Sequence, residues 1–351
     1  MHKRLIYGLV ICLFLTAGQQ LWAGQVTSFI YHRFDESRYP STNISAETFR
    51  QQLAVLKEQN YQVLSLAEVA RRLNSGEALP EKGVSISVDD AFISFAEVAM
   101  PIIREYGFPV TLFVNTDAVG TSGYLDWAAL KQLYDEGVEI GNHTATHDYL
   151  VELRQGEQFS DWQLRVEQDI AKARDLYQQY LGPVPQLFAY PYGEYNSELM
   201  ELVARMGFSA AFAQQSGVIH ADSARFSLPR FPMGGPYATL AGFREKLAMK
   251  PLLVTAEEPI SPVVGDNPPI LKLQIKDPAA DLRQMNCFVQ GENNCRAEPI
   301  AGQPGWYQVV ADKPLTGRRN KYTLTVAGKQ GGWHWYSHLW LRADAVAAGA
   351  E

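Results

Sequence analysis

Short β-branched segments alternate with helical patterns over residues 25–245. Runs such as VSISV (84–88) are apolar and β-branched, as expected of strands buried in a sheet. Between such runs, apolar residues recur at helical spacing, for example Phe49, Leu53 and Leu56. This order predicts parallel βαβ units, which either close into a barrel or form an open sheet.

The pattern changes after residue 250. Segment 251–269 is rich in proline and carries acidic residues, which is typical of a linker. Alternating segments without a convincing helix follow, such as KYTLTVAG (321–328), and they predict a small all-β sandwich of immunoglobulin-like type. We therefore expect a first domain over 24–250, a linker over 251–269 and a β-sandwich domain over 270–345.

The first residues predict a secretory signal peptide over 1–23. Lys3 and Arg4 precede an apolar run over 5–18, and a more polar exit ends on the small residue Ala23. We expect cleavage near Ala23, no stable membrane anchor afterwards, and a periplasmic or secreted protein. A retained anchor is the alternative, but the run is shorter than the ~20 residues that span a bilayer.

Charge and cysteine usage fit an exported protein that does not bind nucleic acid. The formal net charge is −7, and no basic block is visible.

Cys12 lies in the predicted signal peptide, which leaves Cys287 and Cys295 on either side of the turn-like segment 291–294. Export favours a disulfide between them, closing a hairpin. A metal site is less favoured, because no further cysteine remains to complete one.

Three polar clusters each follow a predicted strand. Asp89 and Asp90 come directly after VSISV, His143 and His147 come after VEIG, and PYG (191–193) comes after QLFAY. Because parallel α/β folds gather their active sites at the carboxyl ends of the strands, these clusters should meet on one rim. Each motif alone is weak, since paired aspartates and PYG are common in turns. Their convergence predicts an active site.

The residue types at this rim predict metal-assisted hydrolysis. Two histidines and one carboxylate bind a zinc-like ion and leave a position for water, whose pKa then falls from ~15.7 to ~7. One of the two adjacent carboxylates suffices as a ligand, and successive side chains diverge, so the other is free to accept a proton. We expect a divalent ion, zinc in first place, with nickel, cobalt or iron as alternatives.

The same motifs resemble a known family. SVDDAF (87–92), GNHTATH (141–147) and AYPYG (189–193) are similar, in order and spacing, to the first three motifs of the polysaccharide deacetylases with a NodB-homology domain. The resemblance covers about residues 25–245. It implies a distorted (β/α)₇ barrel and a hydrolase that removes N- or O-acetyl groups from sugars.

The resemblance also implies roles for single residues. Asp89 would be the catalytic base, and Asp90, His143 and His147 would be the metal ligands. Tyr192 would donate its backbone N–H to the oxyanion of the tetrahedral intermediate. A preorganised donor near a metal is well placed for charge that develops during the reaction.

Three positions depart from the family pattern. Ala91 stands where glycine is frequent, which indicates a slightly different turn. Ala189 stands where an arginine usually braces the base, and Arg230 is our candidate replacement; a surface arginine at a strand end is an equally compatible interpretation. The family's late leucine-x-x-histidine motif, which supplies the general acid, has no counterpart after Arg230.

We assign the general acid to His32, at the end of the first predicted strand and hence on the expected rim. His220 has no strand-end position, and His334 and His338 lie in the β appendage. A structural histidine is the alternative interpretation of His32. The early Tyr-His-Arg sequence also resembles exported deacetylases of poly-β-1,6-N-acetylglucosamine in biofilms, and that resemblance implies that this early histidine takes over the acid's role.

The sequence therefore predicts an exported metal-dependent enzyme that hydrolyses acetyl groups from N-acetylated, glucosamine-type polysaccharide. Exopolysaccharide machinery is an expected partner. One alternative is deacetylation of peptidoglycan or an O-acetylated glycan. The other is a carbohydrate-binding protein without turnover, whose sugar-stacking rings would be those of Trp306, Trp333, Trp335 and Trp340. Ordinary packing in a sandwich core explains these tryptophans equally well.

Overall fold

The structure is a computed structural model that describes residues 24–292 and 294–343. The predicted signal peptide, residues 1–23, lies outside the described residues. Within the described ranges, no helix has both the length and the apolar character needed to cross a bilayer.

The first part of the chain, the α/β region, alternates strands and helices as expected. Its strands are β1 (Gln25–Tyr31), β2 (Arg33–Phe34), β3 (Asn43–Ile44), β4 (Gln62–Val63), β5 (Gly83–Asp89), β6 (Thr111–Val114), β7 (Glu139–Asn142), β8 (Leu187–Ala189), β9 (Ala210–Phe212), β10 (Val218–His220) and β11 (Phe231–Pro232). Its helices are α1 (Ala46–Glu58), α2 (Leu66–Ser75), α3 (Met100–Tyr106), α4 (Trp127–Asp135), α5 (Phe159–Tyr180), α6 (Ser197–Arg205) and α7 (Leu240–Leu247).

Local sequence explains where several helices begin. The side chains of Ser45, Ser65 and Asp126 each accept a hydrogen bond from a backbone N–H in the first turn of α1, α2 and α4. Gly107 ends α3 in the left-handed conformation that glycine adopts without a steric penalty. A π-helical turn, Phe95–Ala99, directly precedes α3.

The main sheet is parallel at its centre. Its order is β10-β1-β5-β6-β7-β8-β9, with every neighbouring pair parallel except β10 and β1. Segment 225–232 hydrogen-bonds to both edges of this curled sheet: Ala213 N–H donates to the Leu228 carbonyl beside β9, and Phe231 of β11 pairs with Phe29 of β1. The predicted parallel α/β architecture is confirmed.

The second part, the β region, contains strands only among its described residues. They are β12 (Met249–Pro251), β13 (Val254–Glu258), β14 (Ile270–Ile275), β15 (Ala280–Val289), β16 (Cys295–Pro299), β17 (Trp306–Ala311), β18 (Arg319–Gly328) and β19 (Trp333–Leu341). They form two four-stranded sheets, β12-β19-β18-β15 and β13-β14-β17-β16, with a shared apolar core. Strand β13 lies inside the segment predicted as a linker. The predicted Cys287–Cys295 disulfide is confirmed and connects β15 to β16.

The two regions share a packed contact. Strand β12, which directly follows α7, pairs in parallel with β19. Leu339 and Leu341 of β19 are buried in a cluster that includes Phe188 and Tyr190 of the α/β region. The β region therefore lies against the α/β region over part of the last described strand.

Candidate active site and metal centre

The polar clusters predicted from the sequence meet at one edge of the main sheet. Asp89 ends β5, His143 directly follows β7, and His32 directly follows β1. Tyr192 lies in the short turn Pro191–Gly193 after β8. These strands are parallel, so their carboxyl ends share one rim. All four residues, together with Asp90 and His147, line a cavity of about 670 Å³.

Asp90, His143 and His147 form the one group within the described ranges whose ligand atoms could hold a metal ion. One such atom from each residue lies within 4.8 Å of the others. The Nε2 atoms of both histidines lie 3.4 Å from Asp90 Oδ1. Nδ1 of His143 donates to the Ala189 carbonyl at 2.8 Å, so its Nε2 presents a lone pair to the cluster.

This donor set fits a divalent cation. Asp90 Oδ1 is buried and has no hydrogen-bond partner, although two imidazole nitrogens face it. Burial and then the neighbouring His143 lower the pKa of His147 to about 4, so its ring is neutral at pH 7. Burial opposes a charge on His143, yet Asp89 and Asp90 raise its pKa. The cluster therefore attracts positive charge, and its two nitrogens and one oxygen suit zinc and similar ions.

Arg230 holds Asp89 in place. Its Nη1 and Nη2 lie 2.7 and 2.9 Å from the two carboxylate oxygens of Asp89, and its Nε donates to the Ala213 carbonyl at 3.0 Å. Arg230 is fully buried, which excludes the interpretation as a surface arginine. Burial opposes the charge on Asp89, but Arg230 and then His143 hold the pKa of its carboxyl below the usual value. Asp89 is therefore an ionised, oriented carboxylate beside the metal cluster.

Several residues around the site have a backbone conformation that residues other than glycine rarely adopt. Asp90, Ala91, Thr144, His147 and Tyr192 have positive φ angles of 77°, 56°, 69°, 57° and 57°. Such residues are strained and persist only where the surroundings hold them. Ala91 thus occupies a left-handed turn in which glycine would avoid the clash of Cβ with the backbone. The strain is concentrated at the residues that present the ligands.

Tyr192 belongs to a stack of rings. Its ring lies parallel to that of Tyr149, with centroids 4.0 Å apart, and meets His147 edge-on at 4.6 Å. The guanidinium of Arg318 lies over the Tyr149 ring, 4.2 Å from the ring centroid. Arg318 comes from the β region and is ion-paired with the buried Glu194, two residues after Tyr192. The β region therefore supports the turn that carries Tyr192.

These contributions from the β region were not predicted. Gln290, Thr316, Gly317, Arg318 and Arg319 all border the cavity of the candidate site. The sequence contained one weak signal of this contact. Two arginines, Arg318 and Arg319, precede KYTLTVAG, and a residue of opposite charge, Glu194, directly follows PYG. Sequence separation of more than 100 residues hid the contact.

The histidines divide clearly by position. His32 borders the cavity with Asp89 and Asp90; burial lowers its pKa, while the two carboxylates oppose that change. His220 pairs with Gln25 at the other end of β1, ~20 Å away at the rise of a β-strand. His334 Nδ1 lies 2.8 Å from Asp277 in the β region. Among the histidines of the described ranges, His32 joins His143 and His147 at this cavity.

Known proteins resemble part of this chain. Residues 76–211 match the polysaccharide deacetylase family. The poly-beta-1,6-N-acetyl-D-glucosamine N-deacetylase of Escherichia coli K12 is 25% identical over 230 residues, which cover 56% of this chain and 34% of that protein. The protein of the same name from Staphylococcus aureus MRSA252 is 24% identical over 214 residues, covering 59% and 73%. The match thus spans about a third of the Escherichia coli protein.

A solved structure shows the same fold. The Streptococcus pyogenes deacetylase PplD in complex with acetate is 25% identical, with a TM-score of 0.56, and the match covers 64% of this chain and 98% of that chain. The match covers nearly all of that chain and leaves about a third of this chain without a counterpart in it.

Proposed function

This chain contains a polysaccharide deacetylase domain, and from that premise we propose that it hydrolyses acetyl groups from an N-acetylated, glucosamine-type polysaccharide and releases acetate. The observation that carries the proposal is the convergence of Asp90, His143 and His147 beside the oriented carboxylate of Asp89. The names of the Escherichia coli and Staphylococcus aureus relatives support the substrate class.

Asp90, His143 and His147 would hold the ion, for which we propose zinc, with nickel, cobalt and iron also suited to this donor set. When bound, such an ion polarises the acetyl carbonyl and lowers the pKa of water from ~15.7 to ~7. The hydrogen bond from His143 to the Ala189 carbonyl fixes the ring that presents its ligand atom.

Asp89 would act as the general base. Both of its oxygens are aligned by Arg230, and its position beside the cluster places it to accept a proton from the attacking water. The water oxygen forms a bond to the acetyl carbon, and the backbone N–H of Tyr192 would stabilise the resulting oxyanion. Arg230 is a positioning residue, because it touches the base and not the substrate.

His32 would act as the general acid. When the bond between the acetyl carbon and the sugar nitrogen breaks, the nitrogen takes a proton from the protonated imidazolium of His32 and leaves as a free amine, with the acyl group leaving as acetate. The position of His32 in the same cavity as Asp89 supports this role, as does the remote position of His220. No other histidine of the described residues, outside the proposed ligands, borders the cavity.

Export and domain organisation are part of the proposal. We propose that residues 1–23 direct export to the periplasm or the cell exterior, where exopolysaccharide machinery would deliver the polymer. The proposed domains are 24–250, closed as a distorted (β/α)₇ barrel, and 270–345, an immunoglobulin-like sandwich, with a linker over 251–269. The two sheets of the β region and their shared core support the sandwich.

Metal content paired with acetate release tests the proposal. Purified protein should bind about one divalent ion per chain and release acetate from an N-acetylglucosamine oligomer. Asp90→Asn should lose the ion and the activity, whereas Asp89→Asn should keep the ion and lose the activity. Asp117→Asn is the matched control, because this exposed carboxylate pairs with Lys172 away from the cavity. Acetate release at the wild-type rate by Asp89→Asn would refute the mechanism.

A further inference from the structure

We propose that the seam between the α/β region and the β region is a binding groove for several consecutive sugars of the acetylated polysaccharide, running from the candidate metal centre to the exposed rings of Tyr237 and Trp333. The inference rests on the proposed function, because it extends the same cavity along the same substrate. It gives the β region a part in substrate selection.

Three cavities follow one another along this seam. The cavity of the candidate site shares Thr42 and Arg319 with a smaller cavity of about 230 Å³. The smaller cavity shares Tyr237 and Lys321 with a third cavity of about 700 Å³. Gln290 borders all three. The shared lining residues make the cavities one continuous groove, with the proposed metal ligands at one end.

One face of a β-sheet forms the wall on the β-region side. Side chains alternate between the two faces of a strand. Leu324 of β18 is buried in the core between the two sheets, so its neighbours Thr323 and Thr325 point the other way and line the third cavity. Thr325 pairs with Trp335 of β19, which lies on the same face as Trp333. The outer face of this sheet is therefore the wall of the groove.

A hairpin closed by the disulfide supports the middle of the groove. Cys287 and Cys295 join β15 to β16, and Gln290 lies in the turn between these strands with a φ of 50°. The Gln290 side-chain amide donates to the Arg319 carbonyl, which ties this turn to the start of β18. The position that borders all three cavities is thus held by a covalent bond and a hydrogen bond.

Two aromatic rings of the groove are exposed to solvent: Tyr237, where the smaller and the third cavity meet, and Trp333 in the third cavity. Tyr237 is 61% exposed and Trp333 is 45% exposed, and neither ring packs on another aromatic ring of the described residues. Trp335, by contrast, is anchored, because its Nε1 donates to Ser337 Oγ at 2.8 Å and its ring meets Phe231 edge-on. Exposed rings in a groove offer flat apolar surface, which suits the apolar faces of sugar rings.

The length of the groove selects a polymer over a single sugar. Arg319 borders the candidate site and Thr325 borders the far cavity, six residues along β18. At the rise of a β-strand this separation is ~20 Å, which several linked sugar rings span and one does not. We therefore commit to the acetylated polymer as the occupant.

The charge of the groove should favour binding of the acetylated substrate over binding of the deacetylated product. Arg319 and Lys321 are partly buried along its wall, whereas Lys246 at the far cavity is ion-paired with Glu245, 2.9 Å away. Removal of an acetyl group leaves an amine that is positively charged at neutral pH. Like charges in a partly buried groove repel, so the acetylated polymer should bind more tightly than the deacetylated one.

Calorimetric titration of metal-free protein with a disaccharide and a hexasaccharide of N-acetylglucosamine tests the groove without turnover. Wild-type protein should bind the hexasaccharide more tightly than the disaccharide. Trp333→Ala and Tyr237→Ala should each weaken hexasaccharide binding on the order of tenfold. Tyr180→Ala is the control, because this partly exposed ring stacks on Trp127 and borders none of the three cavities, so hexasaccharide binding should not change.

Turnover gives a second readout. The ratio of kcat/KM for the hexasaccharide to that for the disaccharide should fall about tenfold in Trp333→Ala and stay constant in Tyr180→Ala. Equal binding of both oligomers by the wild type, or unchanged hexasaccharide binding in both ring variants, overturns the groove. So does tighter binding of the deacetylated hexasaccharide. If the wild type with bound metal releases no acetate, the proposed function fails, and the titrations alone decide the groove.

Discussion

Arg318 offers the sharpest test of how the two regions depend on each other. Its Nε and Nη2 lie 2.8 and 2.7 Å from the two carboxylate oxygens of Glu194, and the side chains of Arg318 and Glu194 are 5% and 1% exposed. Arg318→Met keeps an unbranched side chain and removes the charge. Glu194 then remains as a carboxylate with neither water nor its cation.

Breaking one side of a buried ion pair costs about 3–5 kcal/mol. At about 2–4 °C per kcal/mol, the melting temperature should fall by ~6–20 °C. The matched control is Arg283→Met. Arg283 makes a similar two-bond contact with Asp281, at 2.8 and 3.0 Å, but its own side chain is 88% exposed. The melting temperature of Arg283→Met should stay close to that of the wild type, because water already solvates this exposed guanidinium.

Differential scanning calorimetry of both variants measures the difference. Arg318→Met combined with Glu194→Met should recover most of the lost stability, because no buried carboxylate remains unpaired; Glu152, the second partner of Arg318, is 40% exposed and stays hydrated. An equal melting temperature for Arg318→Met and Arg283→Met would refute the reasoning. In Arg318→Met the Tyr149 ring, which stacks on Tyr192, also loses the overlying guanidinium, so acetate release should fall even below the melting transition.

Three further predictions concern other parts of the molecule. Arg230→Lys should lower kcat on the order of 10²-fold with KM nearly unchanged, measured by acetate release, because one ammonium cannot align both oxygens of Asp89. His32→Gln should slow the reaction on the order of 10²-fold or more, while His220→Gln keeps it; the reverse result would move the acid to His220. Burial, followed by repulsion from the positive charges of Arg319 and Lys246, lowers the pKa of Lys321 to about 8, below its unfolded value of ~10.4. The folded protein therefore loses this proton first, so its free energy of unfolding should rise between about pH 8 and pH 10 relative to Lys321→Met, as urea titrations at both pH values would show; a constant difference between the two proteins would contradict the assignment.

Much of the α/β region could be predicted from the sequence because its signals are local. Apolar spacing and capping residues mark α1 and α2, and β-branched runs mark β5 and β6. The grouping of Asp89, Asp90, His143 and His147 followed from one rule, that parallel strands share a carboxyl edge. Each of these inferences uses residues only a few positions apart, or a topology that those residues imply.

The remainder depended on distant contacts. The burial of Arg230 could not be read from its neighbours, because segment 225–232 becomes interior only when it bonds to both edges of the sheet. Strand β13 was hidden in a proline-rich stretch, since its partner β14 supplies the pairing. Arg318 meets Glu194 across 124 positions, a separation at which no periodic pattern carries information.

The parallel pairing of β12 with β19 has a consequence for the order of events during synthesis. The ribosome completes the motifs around Asp90 and His147 long before it reaches residues 316–341, which supply a wall of the cavity and the partner of β12. Chains fold from the N-terminus as they emerge, and the α/β region has its own apolar clusters. The nascent protein should therefore gather its metal ligands early and complete the wall of the proposed polymer groove last.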